Sequence, residues 1–350
     1  MKNFSKYLSY RIKASLPRVF IMSLMGTVPT VVYYIGESAA WRRFGSYSAA
    51  LYFLTHLIYA LAYIIPVLEN APQKSARQLD MIFSLPVSRR AIGTAHYVSG
   101  ALQLIIPSVV MIVSTVIVHL IFFRGLNVIY LVLYYFFILM VGLIIYSVIS
   151  FLFVKGNSLL DGILTAIFFP CAVDSIFTVI ANLINKSTIL PLAIRNIMPW
   201  FNPAAFTDIG NVGKRIASYC PNFFYSYDHS NALSQIFNPW NIATVVFCSV
   251  AAILAAIGFI NHFKKYRAEQ AGDISDSIFS YRFFIPVITV CHMFDGSSLF
   301  DGIFTGARIT GDLFILLLML IGYFTYRRSF RIKAEDIALV LISLGLVFIA

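Results

Sequence analysis

The chain has 350 residues, of which 59% are hydrophobic and only 12% charged, with a mean hydropathy of +0.83. A soluble domain carries about 25% charged residues, so a water-soluble fold is excluded and the whole length reads as one membrane domain. The formal charge of +11 does not point to nucleic acid, because the basic residues sit in short runs between apolar segments rather than on one amphipathic face.

At the N-terminus, residues 1–18 carry Phe4, Leu8, Ile12 and Leu16 at every fourth position, with Lys2, Lys6 and Lys13 off that stripe. The pattern predicts an amphipathic helix lying in the membrane interface, held there by apolar area and basic charge. Arg11 belongs to the same interface segment, and Pro17 suits the first turn of a following helix. The apolar run from Val19 has no small-residue cleavage site, so it reads as a retained first span rather than a signal peptide.

A bilayer is crossed by roughly 20 mostly apolar residues. On that rule spans are expected near 17–36, 48–68, 95–123, 127–154, 160–184 and 238–262, a six-helix core over residues 17–262. Beyond it, 282–294 and 311–326 form an expected down-and-back pair, and 336–350 is a short final apolar run. The expected fold class is therefore all-α, a polytopic membrane helix bundle of six core helices plus two or three more over residues 263–350.

Between the second and third spans, residues 69–92 are the most informative stretch. Ser75 can cap a short helix in which Leu79, Ile82 and Phe83 share one face, with Arg77 and Asp80 elsewhere. Pro86 stops that helix by forcing Leu85 out of the helical region. Ser88 then offers a cap for the next span, with Arg89 and Arg90 at its edge. Further on, Asp174 lies inside the fifth predicted span four residues after Pro170. A carboxylate at such depth marks a pathway or an interface. The connection 185–237 is long, rich in proline and aromatic residues, and falls on the opposite side from the N-terminus.

Orientation follows from the loops, since cytoplasmic segments accumulate Lys and Arg. With the N-terminus inside, 18 of the 26 basic residues fall in cytoplasmic segments and 8 outside, which fixes the expected topology. The sequence has no H-E-x-x-H or G-x-S-x-G motif, and Gly210-Asn-Val-Gly213-Lys214-Arg215 lacks the spacing and the final hydroxyl of a phosphate loop. The six histidines lack ligand spacing, and the four cysteines form no C-x-x-C pair, so neither metal nor disulfide framework is expected.

Glu69, the short amphipathic helix and the run Ser84-Leu-Pro-Val-Ser-Arg89 resemble the coupling-helix region of type-2 ATP-binding-cassette (ABC) exporter permeases. Phe263-Lys-Lys-Tyr-Arg-Ala-Glu-Gln-Ala-Gly272 and Tyr326-Arg-Arg-Ser-Phe-Arg-Ile-Lys333 resemble the cytoplasmic joints of a Gram-positive bacterial branch with extra C-terminal helices, and Asn202-Pro-Ala-Ala-Phe206 its outer proline-bearing stretch. The resemblance implies a permease in the bacterial plasma membrane, N-terminus inside, that exports an amphipathic substrate such as a peptide, an antibiotic or a lipid-like molecule. It implies a partner dimer of cytoplasmic ATPases, which would bind ATP and Mg while this chain binds no cofactor. It also implies a second permease copy or a paralogue, and contact with membrane lipid. Arg77, Leu79, Asp80, Ile82, Phe83, Leu85, Pro86 and Arg89 become the expected coupling residues. The rival reading, a membrane-embedded enzyme that modifies lipid or polysaccharide, needs clustered carboxylates or histidines at one interface. A secondary transporter needs inverted repeats with broken helices. The sequence displays neither.

Overall fold

The computed structural model describes residues 2–44, 48–122, 128–170, 172 and 239–266, with a few isolated positions beyond them. Asp174, residues 185–237 and 202–206, the basic joint 326–333 and the final run 336–350 lie outside the described residues, as do 282–294 and 311–326 apart from single positions.

Every described element is helical. In chain order these are α1 (Lys2–Phe44), α2 (Ser48–Asn70), a 3-10 turn (Ala71–Lys74), α3 (Ala76–Phe83), α4 (Arg89–Phe122) and α5 (Val128–Lys155). They are followed by α6 (Leu159–Pro170) and α7 (Pro239–Lys265). Five of these helices are long and apolar enough to cross a membrane, in the segments Phe4–Tyr33, Phe53–Lys74, Arg89–Val118, Tyr135–Lys155 and Val246–Lys265. The chain is a multi-pass helical membrane protein. Its exposed surface agrees, for Phe20 and Met25 are each 69% exposed, and Ile121, Ile253 and Leu254 are exposed on other spans. In water such side chains would be buried; in a bilayer they face acyl chains.

The chain divides into two compact units, one of Met1–Val154 with Asp208–Glu269 and another of Lys155–Thr207 with Gln270–Ala350. In the second unit α6 starts at Ser158, whose hydroxyl accepts from Asp161 N at 3.1 Å and so satisfies one of the free donors of the first turn. Gly272 N donates to Asn157 O at 3.0 Å beside that start.

In the first unit α1 runs alongside α4, with α2 and α7 also packed on α4. Arg11 meets His96, and the backbone of Gly26 meets Met111, each pair 85 residues apart, so α1 and α4 are parallel and in a constant register. A side chain at Gly26 would collide with the Met111 sulfur, so glycine is what allows this approach. Gly100 does the same on another face of α4. There the Tyr146 ring of α5 lies against the α4 backbone and its hydroxyl donates to Tyr97 O at 2.9 Å.

One expectation for α1 is corrected here. Residues 2–44 form one continuous helix, with Pro17 and Pro29 inside it, rather than an interfacial helix ending where a span begins. Proline is tolerated in membrane helices because neighbouring helices and side chains compensate for the lost bond. On this helix Ser15 and Val19 are buried, Leu16 is 51% exposed, and Phe4, Tyr7, Leu8, Arg11 and Ile12 are all half-buried.

Candidate functional site: a charged cluster beside a short amphipathic helix

The segment that joins α2 to α4 is built by local sequence. Ser75 adopts an extended backbone (φ −112°, ψ 122°) that separates the 3-10 turn from α3. Its side chain makes no capping bond, contrary to expectation; only its carbonyl accepts, from Leu79 N at 3.0 Å. α3 ends at Phe83, and Ser84 N closes the last turn on Asp80 O at 2.9 Å. Ser88 caps α4 as expected, its hydroxyl accepting from Ala91 N at 3.3 Å.

The apolar stripe of α3 is covered by the chain itself. Ile82 packs in a cluster with Ile92 of α4, Val154 of α5, and Phe259 and Phe263 of α7, with Phe83 and Val87 against it. Leu79 is also fully buried. Two cations fasten the segment. Arg89 lies 4.5 Å over the Phe83 ring and donates to Tyr266 O at 3.2 Å, beside the end of α7. Lys74 is buried, donates to Val154 O at 3.4 Å near the end of α5, and sits 4.9 Å from the Phe153 ring centre. A cation is favoured where a helix leaves its last carbonyls unpaired.

Of the predicted coupling residues, then, Leu79, Ile82, Phe83 and Arg89 mount α3 on the spans, while Arg77, Asp80, Leu85 and Pro86 are exposed. Met81, which the sequence reading passed over, is 67% exposed on the outward face.

Below α3 lies a polar cluster that the sequence reading did not assemble. Glu69, 2% exposed at the end of α2, is paired with Arg11 of α1 and accepts from Gln103 Nε2 of α4 at 2.7 Å. Arg18 Nη1 is 4.0 Å away from it. His96 of α4 is fully buried; its Nδ1 lies 3.1 Å from Arg11 Nη2 and 3.2 Å from Gln73 Nε2. Its Nε2 lies 3.1 Å from the Tyr7 hydroxyl. Gln73 also donates to Asn70 Oδ1 at 2.7 Å, and Asn70 Nδ2 to Pro66 O at 2.8 Å. Phe263 of α7 closes the group, its ring 5.7 Å from that of His96.

These contacts fix the histidine. Arg11 and Gln73 are donors only at the atoms that face Nδ1, so Nδ1 must be the acceptor and the ring proton sits on Nε2, donated to Tyr7. His96 is therefore a neutral ring beside the Arg11–Glu69 ion pair, and the buried part of the cluster carries no net charge, Arg18 lying at its half-exposed edge. The pair is buried with its oxygens satisfied from two helices, the condition under which burial of charge is tolerated.

No family model, curated protein or solved structure matches the chain. Among the described residues no group of histidine, cysteine and carboxylate side chains could hold a metal ion. What the arrangement offers is mechanical: one short helix with an exposed mixed face, seated on the ends of α4, α5 and α7, beside a charge cluster that ties α1 to α2 and α4.

Proposed function

We propose that the chain is the membrane-spanning permease subunit of an ABC exporter, working with a second permease and two cytoplasmic ATPases to move an amphipathic substrate outward across a bacterial plasma membrane. The observation that carries this reading is the mounting of α3, whose apolar side is packed on α4, α5 and α7 while Arg77, Asp80, Met81 and Leu85 remain outward. A helix held in this way passes a push from a docked protein to three spans at once. Its outward face combines two exposed apolar side chains with charges of both signs, the composition of a protein-binding patch with a polar rim. The six-helix core, the cytoplasmic N-terminus and hydrolysis of ATP with Mg on the partner chain are parts of the same proposal. Asp174 is its candidate pathway carboxylate.

The reading is tested by affinity purification from the native cell. The wild-type chain should bring down a Walker-motif ATPase, and Met81→Asp with Leu85→Asp should lose it at normal membrane levels, since truncating an interface anchor commonly costs about 2 kcal/mol or more. Retention of the ATPase by the double variant, or its absence from the wild-type complex, removes the support for the proposal.

A further inference from the structure

We propose that His96 is a proton-binding site which, when occupied, takes the place of Arg11 on the Glu69 carboxylate and so loosens the first turns of α1 in acid. The proposal rests on charge balance in a buried place. With Glu69 negative, Arg11 positive and His96 neutral, the buried groups balance, while Arg18 approaches Glu69 from the half-exposed edge. A proton added to His96 without any movement would put a second positive charge on a fully buried ring, on the one nitrogen towards which Arg11 and Gln73 already point donors. Uncompensated charge in such a place is strongly disfavoured even after relaxation.

Exchange removes that cost. Nδ1 of His96 is 3.9 Å from Glu69 Oε1, a small shift from a direct bond once it carries a proton. The protonated ring then pairs with Glu69 as Arg11 did, and the buried charge returns to zero. Arg11 is 18% exposed and lies on the helix that carries Lys6, Lys13 and Arg18. Its long side chain can carry the guanidinium to the headgroup level. Among the described residues Arg11 and Tyr7 bond α1's first turns to α2 and α4, so exchange leaves the Tyr7 hydroxyl as the tie there, while Arg18 further along still reaches Leu68 O.

The groups that face the ring are Tyr7 and Arg11 from α1, Glu69 from α2, Gln73 from the 3-10 turn and Phe263 from α7. On α4 itself Gln103 faces the same carboxylate, and on α1 Arg18 approaches it. Lys74 is directed instead to Val154 O and the Phe153 ring. The sign follows from proton count. In the closed cluster the Nδ1 lone pair of His96 is engaged by Arg11 and Gln73, and in the loosened one it carries a proton held by Glu69. The loosened form thus binds one proton more, so the closed arrangement loses stability as the pH falls; an average uptake of about half a proton between pH 7.5 and 5.5 raises the ratio of loosened to closed about tenfold.

The test uses the full chain in nanodiscs, cysteine-free, with spin labels at Lys6→Cys on α1 and Arg90→Cys on α4. At pH 7.5 one distance is expected; at pH 5.5 the ratio of a longer component should rise about tenfold. His96→Asn keeps an acceptor but cannot take a proton, and should hold the short distance at both pH values. A wild-type distance indifferent to pH overturns the proposal. So does an unchanged acid response in His96→Asn, which would put the proton on Glu69. Hydrogen exchange of residues 2–15 in the unmodified chain, corrected for intrinsic rates, reads the same equilibrium without any variant. It should rise about tenfold in acid, and no rise also refutes the exchange.

Discussion

Leu79→Ala and Met81→Ala, two positions apart on α3, should behave in opposite ways. Leu79 has no exposed surface, and its neighbours on the stripe, Ile82 and Phe83, pack with Ile92, Val154, Phe259 and Phe263. Truncating a buried Leu costs about 2–5 kcal/mol, less where the surroundings can settle. An eight-residue helix joined by short turns can settle, so the low end, about 2 kcal/mol, is expected. Because α3 is short, the loss appears as local opening rather than global unfolding. Each 1.36 kcal/mol is tenfold in an equilibrium, so amide exchange over residues 76–83 should quicken roughly thirtyfold in Leu79→Ala. Met81 is 67% exposed, and surface truncations stay within about 0.5 kcal/mol, a change of about twofold. The assay is hydrogen exchange with mass spectrometry on the purified chain without partner. Equal exchange in the two variants, or faster exchange in Met81→Ala, would refute the seating of α3 described above.

Gly100→Ala sets helix propensity against overpacking. Alanine gains about 1 kcal/mol over glycine in a helix, but its methyl would displace Tyr146, which is fully buried and bonded to Tyr97 O. Overpacking costs about 1–3 kcal/mol and an orphaned buried hydroxyl a similar amount, so the melting temperature in detergent should fall by several degrees; a rise would show that Tyr146 has room. For topology, an outside-only thiol reagent on intact cells should reach Cys220 and leave a cysteine placed at the exposed Ser75 unlabelled until the membrane is opened, and the reverse pattern would invert the orientation.

Five of the expected spans were legible because their apolar length leaves few alternatives, and α3 was legible because Leu79, Ile82 and Phe83 repeat at helical spacing between a serine and a proline. What covers that stripe was not, since Phe259 and Phe263 lie about 180 residues downstream in sequence and only folding brings them there. The N-terminal segment misled for a different reason. Phe4, Leu8, Ile12 and Leu16 suggest an interfacial helix held by apolar area, and nothing in that stripe signals that Tyr7 and Arg11, between its members, reach Glu69 and His96 on α2 and α4. The cluster had a faint signal. His96 and Gln103 stand seven residues apart in an apolar span, on the same face as each other, and Glu69 and Arg11 close two others. Taken singly, each reads as an ordinary boundary residue.

α1 has 43 residues, about 64 Å at 1.5 Å per residue, against a hydrocarbon core of about 30 Å. Being unbroken, it is a rod longer than the layer it crosses, and α4 lies parallel to it in fixed register. A rod of that length tilting by about 5° about one end swings the other through about 5–6 Å. A small change of tilt at the Arg11 end thus becomes a larger displacement at the far end of the helix, which α4 must follow or else give up contacts such as that of Met111 with Gly26.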